Sequence, residues 1–211
     1  YDARSLRAAL NFAEQVADAP AVHIKLDTGM HRLGFMPDQL PELLEALRGN
    51  RKLRVTSILS HLAASEDPAQ DAFTREQIAL SHSMSQTIIA AIGYSPLLHI
   101  ANSAAATRFP EARLDMVRLG IGLHGIGADA KETDLLRPVE TLRTVIAQVK
   151  EIPAGDSVSY GRKASITTPT RIAVLPIGYA DGLSRKLGEG KGRVWINGKE
   201  ARAKDVQLLF A

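Results

Sequence analysis

The chain has 211 residues, 45% of them hydrophobic, and a formal net charge of +3, which is enough for a sizeable core in one large domain or two small ones. Its basic residues are scattered, the densest patch being Arg51, Lys52 and Arg54, so the clustered charge of a nucleic-acid binder is missing despite a pI near 9.3. The chain has no cysteine, which excludes disulfides, thiolate metal sites and thiol nucleophiles and suits a reducing cytoplasm, and no apolar run approaches the length that spans a bilayer.

The chain opens with neither an initiator methionine nor a signal peptide and is expected to be a piece of something larger. Residues 3–18 set Leu6, Ala9, Leu10, Ala13, Val16 and Ala17 at helical spacing. A first strand is predicted at 22–26 and a second helix at 39–47, with Pro37 and Pro41 near its start. A second strand follows at 55–59, ending in Ser60 and His61, then a long amphipathic helix within 68–92. A third strand at 97–101 ends in Asn102 and Ser103, and a fourth at 116–119 leads to Gly120 and Ile121. Strand and helix thus alternate, the rhythm of βα units in a parallel sheet or barrel. No glycine-rich nucleotide loop follows any strand, which disfavours a doubly wound nucleotide fold. A full barrel takes about eight units and about 250 residues, so about half of one is expected here.

After Pro138 the pattern changes. Residues 139–149 are β-rich, 153–156 read as a turn, and Ser157 to Gly161 follow in extended form. Another strand is predicted at 171–177, then Gly178-Tyr179-Ala180-Asp181-Gly182. Residues 193–196 with Asn197-Gly198 read as a hairpin, because Asn-Gly favours a type I′ turn. The boundaries are therefore 1–137 for the partial barrel and 138–211 for an antiparallel β domain.

If the first four strands lie side by side, their C-terminal ends converge. Gathered there would be Lys25, Asp27 and Arg32, then His61, then Asn102 and Ser103, then Arg118 with the amides of Gly120 and Ile121. Ser103 and glycine amides suit a phosphate, while Arg118 and His61 could hold a ring or a carboxylate. Taken singly, His61 reads as a satisfied core histidine and Arg118 as a salt-bridged arginine; their convergence on one face is what favours a site. Tyr160 could serve as a general acid/base beside a cation. By default Tyr160 and Tyr179 are packed aromatics, His99 is a core residue and Trp195 is packing.

The stretch His23-Ile24-Lys25-Leu26-Asp27-Thr28-Gly29-Met30-His31-Arg32-Leu33-Gly34 resembles the alanine racemases, as do Ser60-His61 and Ala101-Asn102-Ser103-Ala104. The likeness continues through Val117-Arg118-Leu119-Gly120-Ile121, Val158-Ser159-Tyr160-Gly161 and Pro176-Ile177-Gly178-Tyr179-Ala180-Asp181-Gly182, in the same order and spacing. The resemblance implies a (β/α)8 barrel followed by a β domain, pyridoxal 5'-phosphate as cofactor, and interconversion of L-alanine and D-alanine for peptidoglycan by a cytoplasmic homodimer. It implies that Tyr160 is an acid/base group reaching the neighbouring subunit's site. It implies that Arg32 binds the substrate carboxylate, and that Lys25, a lysine often carbamylated in the family, braces Arg32. His61 would stack on the cofactor ring, Arg118 would donate to its pyridine nitrogen, Ser103, Gly120 and Ile121 would hold the phosphate with Asn102 beside them, and Tyr179 would line the substrate entrance. No metal, nucleic acid or membrane is implied.

Racemisation needs an acid/base group on each face of the α-carbon. In the family the second is the Schiff-base lysine, in a segment rich in Lys, Ala, Tyr and Gly-His-Gly. No such segment occurs here, since Lys52, Lys131, Lys150 and Lys163 stand in other contexts. The isolated chain is therefore expected to be inactive. The tail from Arg202 to Ala211 also departs from the Met-Asp segment that the family leads one to expect. Rival readings are a broad-specificity, lysine or serine racemase of the same fold, a basic amino-acid decarboxylase, and a non-catalytic carrier of the cofactor, against which the β domain argues.

Overall fold

The computed structural model describes residues 1–50 and 52–203. It divides into a first unit, Tyr1–Glu140, and a second from Thr141 onward. The first unit is βα-built. Helix α1 (Ala3–Gln15) starts at Asp2, whose carboxylate accepts from the Ser5 amide at 2.7 Å, an N-terminal cap that satisfies a donor the helix cannot. Strand β1 (Val22–Lys25) follows, then α2 (Leu40–Arg48), β2 (Val55–Leu59), α3 (Asp71–Ile92), β3 (Leu97–His99) and α4 (Ser103–Arg108). Strands β1, β2 and β3 form a parallel sheet in that order, with Lys25 opposite Leu59 and Leu59 opposite His99. This is a partial barrel-type sheet, and its register brings the C-terminal ends of all three strands to one rim.

Helices α1, α2 and α3 cover the sheet through Leu6, Leu43, Leu47, Met84 and Ile88, packed on Ile24, Leu26, Val55 and Ile58. A second cluster gathers Leu62, Ile100, Ala105 and Phe109 beneath α4. Burial of these side chains supplies most of the unit's stability, at roughly 1.5–3 kcal/mol for each large residue. Short helix α5 (Ala130–Leu135) starts at Asp129, which caps it.

The fourth strand expected at 116–119 does not form among the described residues. Instead the segment is tied to β3 and the residues after it by two backbone bonds, from Asp115 N to Leu98 O at 3.1 Å and from Arg118 N to Ala101 O at 3.0 Å, while the Asp115 carboxylate accepts from Leu98 N at 2.8 Å. The two backbone bonds are three residues apart and miss the two-residue repeat of a ladder. Met116, Val117 and Leu119 keep over a third of their surface exposed, so packing does not enforce a strand either.

The second unit is antiparallel. Strand β4 (Gln148–Ile152) pairs with β7 (Thr170–Val174), β5 (Ser157–Val158) with β6 (Ala164–Ser165), and β8 (Arg193–Ile196) with β9 (Lys199–Arg202). The β-rich run expected from residue 139 becomes a strand only at Gln148. The strand expected to reach residue 177 ends at Val174, two residues before Pro176, which has no amide to give a ladder. At the last hairpin Asn197 and Gly198 both have positive φ, 49° and 76°, the mark of a type I′ turn. Arg51 of the basic patch and the divergent tail from Lys204 lie outside the described residues. No helix among the described residues is long and apolar enough to cross a membrane.

Candidate active site

The site begins where β1 ends. Beyond Lys25 the chain turns out and back, and Phe35 returns to pair with the strand end, its amide donating to Lys25 O at 2.8 Å while Asp27 N donates to Phe35 O at 2.9 Å. The Asp27 carboxylate folds the intervening loop by accepting from the amides of Gly29 and His31, both at 3.0 Å. Burial opposes its charge, but those amides outweigh burial and hold the carboxyl below its usual range. Gly34 closes the loop with φ +126°, where an added Cβ would lie 2.5 Å from Leu26 C. Arg32 projects from this loop. Ser60, after β2, ties the loop down: its hydroxyl donates to Leu26 O at 2.9 Å and lies 2.8 Å from the Thr28 hydroxyl.

Arg118 sits at the centre. Its Nη1 donates to His99 Nδ1 and to His99 O at 3.3 Å. Its Nη2 donates to Ser60 O at 2.7 Å, to Ile100 O at 3.2 Å and to His61 Nδ1 at 3.1 Å. Among the described residues nothing accepts from its Nε–H. A guanidinium has no lone pair to offer, so both imidazoles must accept at Nδ1 and carry their proton on Nε2. Burial first, then the charge of Arg118, pushes both histidines down, His99 to about 4, and both rings are neutral near pH 7. Lys25 is likewise pushed down by burial, then by Arg118 and Arg32. With Asp27 committed to its loop, three cations share the rim, a field that attracts carboxylates and phosphates.

The other end of the rim is a cradle. Asn102 caps α4, accepting at Oδ1 from Ala105 N at 3.0 Å and from the Ser65 hydroxyl at 2.8 Å, and donating to Leu62 O at 3.5 Å. Ser103 Oγ accepts from Gly120 N at 2.9 Å and from Gly122 N at 3.2 Å. Having accepted two amide protons, it keeps its own proton to donate. A Cβ on Gly122 would meet the Ser103 side chain at 3.3 Å, a tight contact that would press on the hydroxyl. Ile121, between the two glycines, opens a 3₁₀ turn, Ile121–His124.

Thus the fold brings together His61, Arg118 and His99, and separately Ser103 and Gly120, with Lys25 near enough to Arg118 and Arg32 for their charges to lower its proton affinity. Tyr160 and Tyr179 belong to the second unit. Tyr160 is 79% exposed and stands between Ser159, at φ 70°, and Gly161, at φ 65°. Tyr179 carries the Arg185 guanidinium 5.8 Å from its ring centre.

Family models describe the same two parts. The alanine racemase N-terminal domain matches residues 1–128, and the alanine racemase C-terminal domain matches residues 139–204. The chain belongs to the alanine racemase family. It is 39% identical to the alanine racemase of Chlorobaculum tepidum over 201 residues, 94% of this chain and 51% of that protein. It superposes on alanine racemase from the D-cycloserine-producing Streptomyces lavendulae with TM-score 0.81 and 32% identity, over 95% of this chain and 55% of the other. The Bartonella henselae alanine racemase, solved with covalently bound pyridoxal phosphate, gives TM-score 0.73 and 25% identity over 97% and 55% of the two chains. The chain spans about half the length of the curated relatives it matches.

In this alanine racemase family member, sequence reasoning passed over Ser57 and His99. His99 is buried as expected of a core residue, yet its ring bonds Arg118 on one side and Ser57 on the other. The available signal was a hydrogen-bonding side chain within each of the three strands, His23, Ser57 and His99.

Proposed function

We propose that this chain supplies the cofactor-anchoring part of a pyridoxal 5'-phosphate-dependent alanine racemase that interconverts L- and D-alanine for peptidoglycan synthesis in the cytoplasm. In this reading residues 1–137 are the second half of the (β/α)8 barrel, residues 138–211 are an incomplete C-terminal β domain, and the working enzyme is a homodimer. The observation that carries it is Arg118, whose two Nη groups are saturated by His99, His61, Ser60 and Ile100 while its Nε–H is left to a ligand.

The donor set fits the cofactor. Ser103, with the amide turn at Gly120 and Ile121, offers a hydroxyl proton to a phosphate, and Asn102 shapes the turn that presents it. His61, held neutral by burial and then by Arg118, packs on the ring. Arg118 presents Nε–H to the pyridine nitrogen. A guanidinium does not give up its proton, so Arg118 would hold a ring nitrogen without protonating it, which would restrain electron withdrawal and disfavour transamination. When bound, the cofactor draws electrons from the substrate α-carbon and makes its proton acidic. Arg32 pairs with the substrate carboxylate, and Tyr179 lines the approach. Tyr160 takes or returns the α-proton on one face, in the neighbouring subunit's site. Lys25 braces Arg32; its lowered proton affinity raises the fraction of neutral amine, the form that can add carbon dioxide and release a proton to become a carbamate, an anion beside Arg32. The acid/base group for the other face is a lysine outside this chain, and the isolated chain is inactive.

The test uses an upstream-extended polypeptide with pyridoxal phosphate. The α-proton signal of L-alanine, followed by NMR in deuterated water, should vanish as D-alanine appears, and a Tyr160→Phe variant should slow this by about 10²-fold or more. Exchange with lysine or serine but not alanine would assign a sister racemase instead. Turnover by the 211-residue chain itself, purified free of host racemase, would overturn its proposed inactivity.

A further inference from the structure

A hydrogen-bond chain leads from Arg118 across the sheet, away from the rim. Arg118 Nη1 bonds His99 Nδ1, His99 Nε2 lies 3.0 Å from Ser57 Oγ, and Ser57 Oγ lies 2.6 Å from His23 Nδ1. The links step from the segment beside β3 to β3, β2 and β1. Chemistry fixes their direction. Arg118 can only donate, so His99 accepts at Nδ1, and its single ring proton sits on Nε2. That proton goes to Ser57 Oγ. Ser57 has one proton left to give, and among the described residues His23 Nδ1 lies within reach to accept it; donation to it leaves that nitrogen without a proton of its own. Ser57 is 1% exposed and His99 is 5% exposed. Polar groups so deeply buried destabilise a core unless each is bonded, and here every bond runs toward one end of the chain.

We propose that His99 and Ser57 are positioning residues that lock the Arg118 guanidinium with its Nε edge toward the site, His23 serving as terminal acceptor. The choice of a histidine has a consequence. A carboxylate in its place would grip Arg118 equally well but cancel its charge. A neutral imidazole orients the guanidinium and leaves the charge whole for the ligand. This consequence rests on the reading of Arg118 as the partner of the cofactor ring nitrogen; the hydrogen-bond chain does not.

The experiment is NMR on the ¹⁵N-labelled full chain, correlating ring protons with ring nitrogens for its six histidines, with His23→Asn and His99→Asn used for assignment. At neutral pH His99 should show a protonated Nε2 and a free Nδ1. The Arg118 Nη signals should be separate, because a held guanidinium rotates slowly. In His99→Leu and in Ser57→Ala they should broaden or merge. In His99→Asn, whose amide oxygen can still accept from Arg118, they should stay separate. A protonated Nδ1 on His99, or separate Arg118 signals surviving in both His99→Leu and Ser57→Ala, would overturn the proposal. If His99→Leu fails to fold, the wild-type tautomer and Ser57→Ala decide. None of these readouts needs cofactor or turnover, so they fail or succeed independently of the racemase reading.

Discussion

Gly34→Ala is the substitution for which the structure predicts the largest cost at the smallest chemical change. Gly34 has φ +126°, and an added Cβ would lie 2.5 Å from Leu26 C, 2.6 Å from Asp27 N and 2.9 Å from Leu26 O. All three are backbone atoms at the end of β1, so no side chain can swing aside. Relief requires the returning chain to lift, which breaks Phe35 N to Lys25 O and Asp27 N to Phe35 O. Each bond is worth about 1 kcal/mol, and the left-handed backbone adds about 1 kcal/mol for any residue with a Cβ. Phe35 is 2% exposed in the main core, and drawing it partly out adds about 1 kcal/mol more. The sum, about 4 kcal/mol, is a large part of the 5–15 kcal/mol that holds a typical domain together.

Gly93→Ala is the control. Gly93 ends α3 at φ +78° with nothing near its Cβ position, so only the backbone cost of about 1 kcal/mol applies. All α-helices among the described residues lie in the first unit. Urea unfolding followed by the helical circular dichroism signal therefore reports on that unit. A Gly34→Ala loss within about 1 kcal/mol of the Gly93→Ala loss would refute the close-approach argument.

Acid should destabilise the first unit before its carboxylates titrate. His99 holds its proton less tightly folded, at about 4, than its ordinary 6.5. Between those values the unfolded chain binds the extra proton, so stability is full above about 6.5 and falls as pH drops toward 4, by up to about 3 kcal/mol. The groups facing His99 are Arg118, His23 through Ser57, and Arg75, His82 and Glu111 around an adjoining cavity. His61 shifts in the same direction, whereas the stability that Asp27 adds is present above the usual carboxylate range and is lost only as pH falls below it; urea midpoints between about pH 7 and about pH 4.5 should fall less in His99→Asn. Phe109→Ala should cost about 4 kcal/mol in the same unfolding assay, because the ring is fully buried and carries the Arg75 and Arg108 guanidiniums at 5.1 and 5.2 Å from its centre. Phe12→Ala, at a position 51% exposed, should cost under about 0.5 kcal/mol. Ser103→Ala should weaken pyridoxal phosphate binding by the upstream-extended enzyme roughly 10-fold or more, one charge-assisted bond, measured by absorbance titration after cofactor removal.

The order of elements and the loops that end them can be read from the residues alone. Apolar runs such as 55–59 and amphipathic runs such as 71–92 state their own conformation, and Asn197-Gly198 states its own turn. The candidate residues Lys25, His61 and Ser103 stand out because a strand that ends in unusual polar groups is a local pattern, whereas Arg118 was expected at the end of a strand that does not form. Where a strand depended on its neighbours, sequence was not enough. Residues 116–119 have the composition of a strand but lack the ladder, and residues 139–147 wait until Gln148 to pair. The partners of His99 and Ser57 likewise come from packing between strands. Their partners lie 19, 34 and 42 residues away, and it is the sheet register, Leu59 opposite His99 and His23 opposite Ser57, that turns three isolated polar residues into one directed chain. Hydrogen bonds are short and angular, so their partners follow from register and from the path of the backbone, which one-dimensional spacing does not contain.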